Sequence, residues 1–260
     1  MNRFLKFLPY LFFISLCGLT LFSFTNKDAT TFTVVIDAGH GGKDPGCLGS
    51  KAKEKDIALS VALKLGNYIK ENMKDVKVVY TRDKDVFVEL DERTHIANRN
   101  KADLFISVHC NTAKNKEVLG AETYTIGMHK TDGNLDVAMR ENAVILKEEN
   151  HKEKYQFDPY SIISYIKMSN FQSTNQTKSI DFATKVQKQF EERVNRENRG
   201  VKQSGFLVLW KTSMPAALIE IGFLTNATEQ DYLNTDNGQT YIASGIYRAF
   251  KEYKSEVSAK

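Results

Sequence analysis

The sequence predicts an α/β fold in which helices sandwich a central, mostly parallel sheet of about six strands. Short apolar runs that are rich in β-branched residues alternate with segments whose apolar residues recur every three or four positions. Residues 33–37, 76–80 and 104–109 are runs of the first kind, and residues 54–73 and 90–100 are segments of the second kind. This β-α-β-α-β order is typical of a parallel sheet with helices on both faces.

The second half of the chain completes this sheet. Its predicted strands are residues 121–126, 206–210 and 216–221, and its predicted core-facing helices are residues 179–195 and 241–253. Residues 128–175 are more polar, and we interpret them as a helical insertion that covers part of the domain. We therefore predict one domain over residues 31–255, with this insertion inside it.

The amino terminus has the pattern of an export signal. Arg3 and Lys6 form a basic start, and residues 7–24 are an almost unbroken apolar run. The 18 residues of this run would also just span a bilayer, and no clear cleavage site follows. Residues 1–26 are thus a signal peptide or an uncleaved anchor, which would be the chain's sole link to the membrane. We expect an exported protein of the periplasm or cell envelope.

Charge and cysteine content exclude some classes of protein. Of the 36 Lys and Arg residues, two lie in this leader. The rest of the chain has 34 Lys and Arg residues and 32 Asp and Glu residues, which gives a formal charge of +2. Because no basic face is apparent, we expect no nucleic-acid partner. Cys47 and Cys110 are the two cysteines beyond the leader, too few for a disulfide scaffold, and this favours free thiols.

Residue types that bind metals fall at the ends of predicted strands. His40, His109 and Glu220 follow or end three strands, and Glu54 begins the first helix. Taken singly, each has an ordinary structural explanation, such as a hydrogen-bonded histidine or a carboxylate at a helix start. Because the carboxyl ends of strands form the ligand crevice of open α/β sheets, their convergence instead indicates a site.

These four residues have the composition of a hydrolytic zinc site. Such sites take three protein ligands and leave the fourth position to water, and His40, Glu54 and His109 supply two imidazoles and one carboxylate. Glu220 lies in an apolar strand, where burying a charge is costly, so we predict that it is the general base.

Two neighbouring residues leave alternatives open. Cys110 follows His109, but side chains alternate across a strand, so both cannot ligate one metal without a break, and we expect Cys110 in the core. Asp37 precedes His40 by three residues, and it either orients a ligand imidazole or caps the turn.

The chain resembles the zinc-dependent N-acetylmuramoyl-L-alanine amidases of the type-3 family over residues 33–254. The matching segments are residues 35–46, 53–56, 80–83, 93–99, 102–111 and 215–226. The resemblance implies an amidase or exopeptidase-like sandwich fold, one zinc ion per chain held by His40, Glu54 and His109, and Glu220 as catalytic residue. It also implies peptidoglycan as the substrate, cut between N-acetylmuramic acid and the L-alanine of the stem peptide.

The insertion, residues 128–175, is longer than in minimal family members. In some relatives a helix at this place blocks the zinc cleft until a partner removes it. By that resemblance Glu148, Glu149 or Glu153 would occupy the open zinc position, and an activator protein would relieve the block. The alternative is a plain cover or a wall of the substrate cleft.

Two other functions compete with the amidase. A zinc peptidase that acts on wall or other peptides would use a similar sheet and ligand set. A non-catalytic wall-binding protein would have lost a ligand or the base, whereas this sequence keeps all four residues.

Overall fold

The computed structural model describes residues 31–169 and 174–259. The predicted leader, residues 1–26, lies outside the described residues. Of the helices in these two described ranges, none is both long enough and apolar enough to cross a membrane.

Within the described residues, six strands form one sheet in the order β2-β1-β3-β6-β4-β5. The strands are β1 Phe32–Ala38, β2 Val76–Tyr80, β3 Leu104–Asn111, β4 Ala121–Ile126, β5 Asn198–Ser204 and β6 Ala216–Phe223. β2, β1, β3 and β6 are parallel to one another, whereas β4 runs antiparallel to β6 and parallel to β5. The predicted mostly parallel α/β sheet is confirmed.

Helices pack on both faces of this sheet. They are α1 Glu54–Asn72, α2 Leu90–Arg99, α3 Asp132–Asn142, α4 His151–Tyr155, α5 Ile162–Ser169, α6 Gln176–Val194, α7 Leu207–Trp210, α8 Ala227–Leu233 and α9 Asp236–Ser258. A 3₁₀ turn, Ala143–Lys147, continues α3. One apolar core joins α1, α6 and α9 to the sheet, and a second joins α2, α3 and α7 to the opposite face.

Polar residues replace the second core toward the carboxyl-terminal ends of the central strands. Along β3, Phe105 belongs to this core, but Ser107 and His109, which point to the same face, are polar and buried. On β6, Leu218 is followed on that face by Glu220, which has no exposed surface. The carboxyl ends of the central strands therefore carry buried polar groups where the apolar core stops.

One predicted strand is wrong, and one strand of the structure was not predicted. Residues 206–210 were expected as a strand but contain helix α7, because a five-residue apolar run does not distinguish a buried helical turn from a strand. Strand β5, Asn198–Ser204, was missed. It lies at the edge of the sheet and is mostly half-buried, so its sequence has no apolar run.

A buried ion pair holds the turn that follows β1. Arg93 of α2, 2% exposed, donates to Asp37 Oδ1 at 2.7 Å and to the carbonyl oxygens of Ala38 and His40 at 2.7 Å each. Asp37 also accepts hydrogen bonds from Thr81 and Ser107, so it does not orient an imidazole. The pKa of Asp37 stays below its usual value because the charge of Arg93 and these hydrogen bonds outweigh burial.

Replacing Arg93 by Met should lower the free energy of unfolding by about 3–5 kcal/mol, because Asp37 would stay buried without its partner. Denaturation by urea, followed by circular dichroism, measures the change. Arg99→Met, in the same helix but on the exposed side, is the control and should leave the midpoint near that of the wild type. Equal midpoints for the two variants would contradict the role given to Arg93.

Candidate metal centre

His40 lies in a strained turn at the end of β1. Its φ is +59°, in the left-handed region that is uncommon for residues other than glycine. The turn also depends on Gly46, whose φ is +69° and where a Cβ atom would lie 2.6 Å from both Glu54 Oε2 and His40 Cδ2. The backbone thus accepts strain to bring the imidazole close to Glu54.

Asp44 fixes the orientation of His40. Its Oδ2 lies 2.6 Å from His40 Nδ1, so a proton on Nδ1 leaves a lone pair on Nε2. His40 Nε2 is buried and has no hydrogen-bond partner among the described residues. Asp44 therefore orients an imidazole of the site, which was one of the two roles considered for Asp37. The Nε2 atom of His40 points to the centre of the site.

Backbone amides hold the carboxylate of Glu54, the first residue of α1. Cys47 N donates to Oε2 at 2.8 Å, and Cys110 N donates to Oε1 at 2.9 Å. Both cysteines are free thiols, as the sequence favoured. Cys110 packs into the core on the face opposite His109, as expected, so it contributes an amide to the site and not its sulfur.

The structure brings the three predicted ligands together and adds a fourth acidic residue, Glu141 of α3. One ligand atom from each of His40, Glu54, His109 and Glu141 lies within 4.8 Å of the other three. Glu54 Oε1 is 3.0 Å from both His40 Nε2 and His109 Nδ1, and Glu141 Oε2 is 3.1 Å from the same two nitrogens. All four side chains are buried.

This donor set fits a divalent cation. Ligand atoms about 2.0–2.1 Å from a zinc ion at tetrahedral angles lie about 3.3–3.4 Å from one another, close to the observed separations. His40 Nε2 and Glu141 Oε2 are buried and lack hydrogen-bond partners among the described residues, although they face each other at 3.1 Å. Two imidazoles and two carboxylates that converge on one point are donor groups that can bind zinc.

The electrostatics of the cluster favour positive charge at its centre. Burial alone would lower the pKa of both histidines, but the nearby carboxylates outweigh it and raise the pKa of His109 to about 9 and that of His40 well above its usual value. Burial alone would raise the pKa of Glu54, but favourable interactions, of which the charge of His40 is the largest, lower it to about 2. In the same way, His109 and His40 keep the pKa of Glu141 well below normal.

Glu220 lies beside the cluster. It pairs in register with His109 across β3 and β6, and it has no exposed surface. Neither carboxylate oxygen has a hydrogen-bond partner among the described residues, and the nearest cation is Arg140, whose Nη2 lies 3.8 Å from Oε1. Burial and the charge of Glu141 raise the pKa of Glu220 well above its usual value. Such a carboxylate is suited to accept a proton.

The insertion contributes Glu141 to the cluster. The expectation that Glu148, Glu149 or Glu153 would take this place is wrong. Glu148 instead accepts hydrogen bonds from the backbone N–H of Leu90 and from Tyr155 Oη, at 2.8 and 2.7 Å. Glu149 and Glu153 are exposed.

The periodicity of α3 could have indicated Glu141. Glu141 follows the core residues Val137 and Ala138 by four and three positions, so these three residues share one face of the helix.

Most of the chain is similar to known amidases. Residues 34–252 match the family model described as N-acetylmuramoyl-L-alanine amidase. A putative N-acetylmuramoyl-L-alanine amidase of Buchnera aphidicola subsp. Acyrthosiphon pisum (strain APS) is 29% identical over 232 residues, which cover 87% of this chain and 96% of the relative.

Solved structures share the fold. The N-acetylmuramoyl-L-alanine amidase from Clostridium difficile 630 has a TM-score of 0.66 at 28% identity, over 87% of this chain and 98% of that chain. The CwlD amidase from Clostridioides difficile, solved in complex with the GerS lipoprotein, has a TM-score of 0.65 at 25% identity, over 86% of this chain and 98% of that chain.

Asp44→Asn should weaken Zn²⁺ binding by roughly 10–100-fold, because the residue that orients His40 would lose its charge. Competition with a chromophoric chelator measures the affinity. Asp231→Asn, which removes an exposed partner of Lys51, is the matched control and should bind as the wild type does. An unchanged affinity in Asp44→Asn would show that His40 needs no such support.

Proposed function

The chain belongs to the N-acetylmuramoyl-L-alanine amidase family and is a peptidoglycan amidase, and we propose that it uses one zinc ion held by His40, Glu54 and His109. It cleaves the amide bond between N-acetylmuramic acid and the L-alanine of the stem peptide. The observation that carries the proposed site is the convergence of these three side chains next to Glu220, a buried carboxylate without a hydrogen-bond partner among the described residues.

A zinc ion bound there supplies Lewis-acid polarisation of the scissile carbonyl and lowers the pKa of a water molecule to about 7. The protein's part is to fix the ligands: Asp44 orients His40, and two backbone amides hold Glu54. Since burial has already removed these groups from water, little reorganisation is needed when the substrate binds.

Glu220 acts as the general base and then as the general acid. It takes a proton from the water that attacks the carbonyl carbon, and it returns the proton to the nitrogen of L-alanine as the carbon–nitrogen bond breaks. The products are the carboxylate of the muramic acid lactyl group and a free L-alanine amino terminus. Its raised pKa suits the transfer, because the protonated form is stable enough to act as an acid.

Glu141 closes the site in this conformation. Its carboxylate would take the fourth ligand position of a bound zinc ion, which a hydrolytic site must leave to water. We define the closing segment as Asp132–Lys147, that is, α3 and the 3₁₀ turn. Lys147 Nζ fastens its end to Asp44 Oδ1 at 2.5 Å. The rate of hydrolysis is therefore low until the closing segment moves.

A partner protein that displaces the closing segment would activate the enzyme. Tyr165 of α5 contacts Asn142 of this segment. In and just before α5, Tyr160, Ile162 and Ile163 are 56–64% exposed, which is unusual for large apolar side chains and suits a protein contact. The CwlD amidase, which has the same fold, was solved with a lipoprotein partner. Export to the cell envelope, where peptidoglycan lies, accords with the apolar run of residues 7–24.

Purified sacculi, incubated with the protein, should release L-alanine amino termini, and a chelator should stop the reaction. Glu220→Gln should keep its zinc but lose activity by roughly 100-fold or more, because a positioned general base contributes that much. His40→Ala is the contrasting variant and should lose zinc as well. Amino termini other than L-alanine would indicate a peptidase, and full activity in Glu220→Gln would remove this residue from the mechanism.

Glu141→Gln should raise the activity of the protein on sacculi by roughly tenfold or more without any partner, because an uncharged amide is a poorer competitor for the fourth position. Glu149→Gln, an exposed change in the same insertion, is the control and should leave the rate unchanged. A rate in Glu141→Gln equal to that of the control would contradict closure by this residue.

A further inference from the structure

A second charged cluster continues the line of site residues across the sheet. Glu122 of β4 pairs in register with Glu220, and Lys202 of the edge strand β5 pairs with Tyr124, two residues after Glu122. Glu122 is 3% exposed, so it is a buried carboxylate that the proposed mechanism does not use.

Glu122 gathers two cations. Its Oε1 accepts hydrogen bonds from Arg199 Nε at 2.8 Å and from Lys202 Nζ at 2.6 Å, and its Oε2 accepts from Tyr124 Oη at 2.7 Å and Asn111 Nδ2 at 3.2 Å. Burial would raise the pKa of Glu122, but these donors, led by Lys202, lower it. Arg199 and Lys202 thus bring two positive charges to the single buried carboxylate of Glu122.

These cations retain free donors that solvent reaches. The side chains of Arg199 and Lys202 are 30% and 24% exposed. Arg199 Nη1 lies 3.4 Å from the carbonyl oxygen of Leu119 and 3.6 Å from the exposed carboxylate of Glu197. Its Nη2 makes no hydrogen bond within the described part of the chain. An incoming carboxylate would therefore find one guanidinium N–H and the ammonium group side by side.

We propose that Arg199 and Lys202 form a subsite for a carboxylate of the peptide, borne by the residue that follows the L-alanine. The inference rests on the proposed amidase function and names the acidic character of its substrate. Glu122 is a positioning residue, which holds the two cations side by side.

The spacing of the sheet agrees with this assignment. β4 and β5 are the first and second strands beyond β6, and neighbouring strands lie about 4.7–4.9 Å apart, so the cations lie about 5–10 Å from Glu220. An extended chain advances about 3.3–3.6 Å per residue, which places a group on the second residue about 7 Å from the scissile nitrogen. A peptide that leaves Glu220 along this face thus reaches the cations within two residues.

Arg140 is a third cation nearby, but it belongs to the closing segment. Its Nη2 donates to Asn111 Oδ1 at 2.9 Å, and its Nε donates to Glu141 at 3.1 Å. If Glu141 leaves the site, Arg140 leaves with it, whereas Arg199 and Lys202 stay on the sheet. The subsite is therefore assigned to the two strand residues.

Two synthetic substrates test the subsite: N-acetylmuramoyl-L-alanyl-D-glutamate, and the same compound with the α-carboxylate of the second residue converted to the amide. The wild type should cut the carboxylate form with a kcat/KM at least roughly tenfold higher. Lys202→Met and Arg199→Gln should each bring this ratio towards one, and Lys202→Arg should restore it. Because the ratio is internal to each variant, a partial loss of folded protein does not change it.

Lys64→Met and Arg248→Gln, on α1 and α9 at the other face of the sheet, are matched controls and should keep the wild-type ratio. A ratio near one in the wild type, or an unchanged ratio in both subsite variants, would overturn the proposal. Calorimetry with Glu220→Gln measures the binding of both compounds without catalysis, and so tests the subsite separately from the amidase function. If neither compound is cut, even by Glu141→Gln, but the carboxylate form binds more tightly through Lys202, the amidase function fails and the subsite stands. Equal binding of the two compounds overturns the subsite.

Discussion

Parallel pairing of β1 with β3 and of β3 with β6 places the carboxyl-terminal ends of these three central strands side by side. His40, His109 and Glu220 occupy those ends, so the strand order itself determines that the three side chains meet. The fold provides the position, and the buried polar network around it provides the orientation. Arg93 and Asp44 hold the His40 turn, and the amides of two cysteines hold Glu54, the first residue of α1.

The centre concentrates charge that burial makes costly. Four acidic side chains, Glu54, Glu141, Glu220 and Asp44, lie in or beside it together with two imidazoles, and all six groups are at most 8% exposed. Buried charges persist when they are paired or bind metals, because desolvation is otherwise unfavourable. A divalent cation would balance this set, and its binding energy would stabilise the folded chain as well as serve hydrolysis.

The closing segment and the chemistry depend on the same atoms. Asp44 orients His40 and also accepts a hydrogen bond from the ammonium group of Lys147, so one carboxylate supports a proposed ligand and holds the closing segment. Glu141 and Arg140 are adjacent, and they contact the ligand cluster and the surroundings of Glu220 respectively. Movement of one helix would therefore open the proposed metal site and uncover Glu220 in a single step.

The sequence by itself determined the α/β class and the mostly parallel sheet, and it singled out His40, Glu54, His109 and Glu220 as candidate site residues, because strand ends and helix starts are marked by local patterns of apolar and polar residues. It did not reveal β5, whose position at the edge removes the need for apolar residues. Nor did it single out Asp44 over Asp37, or Glu141 among the acidic residues of the insertion. Only the tertiary structure decided these points, because they depend on how a turn bends and where a helix docks, and contacts between distant segments determine both.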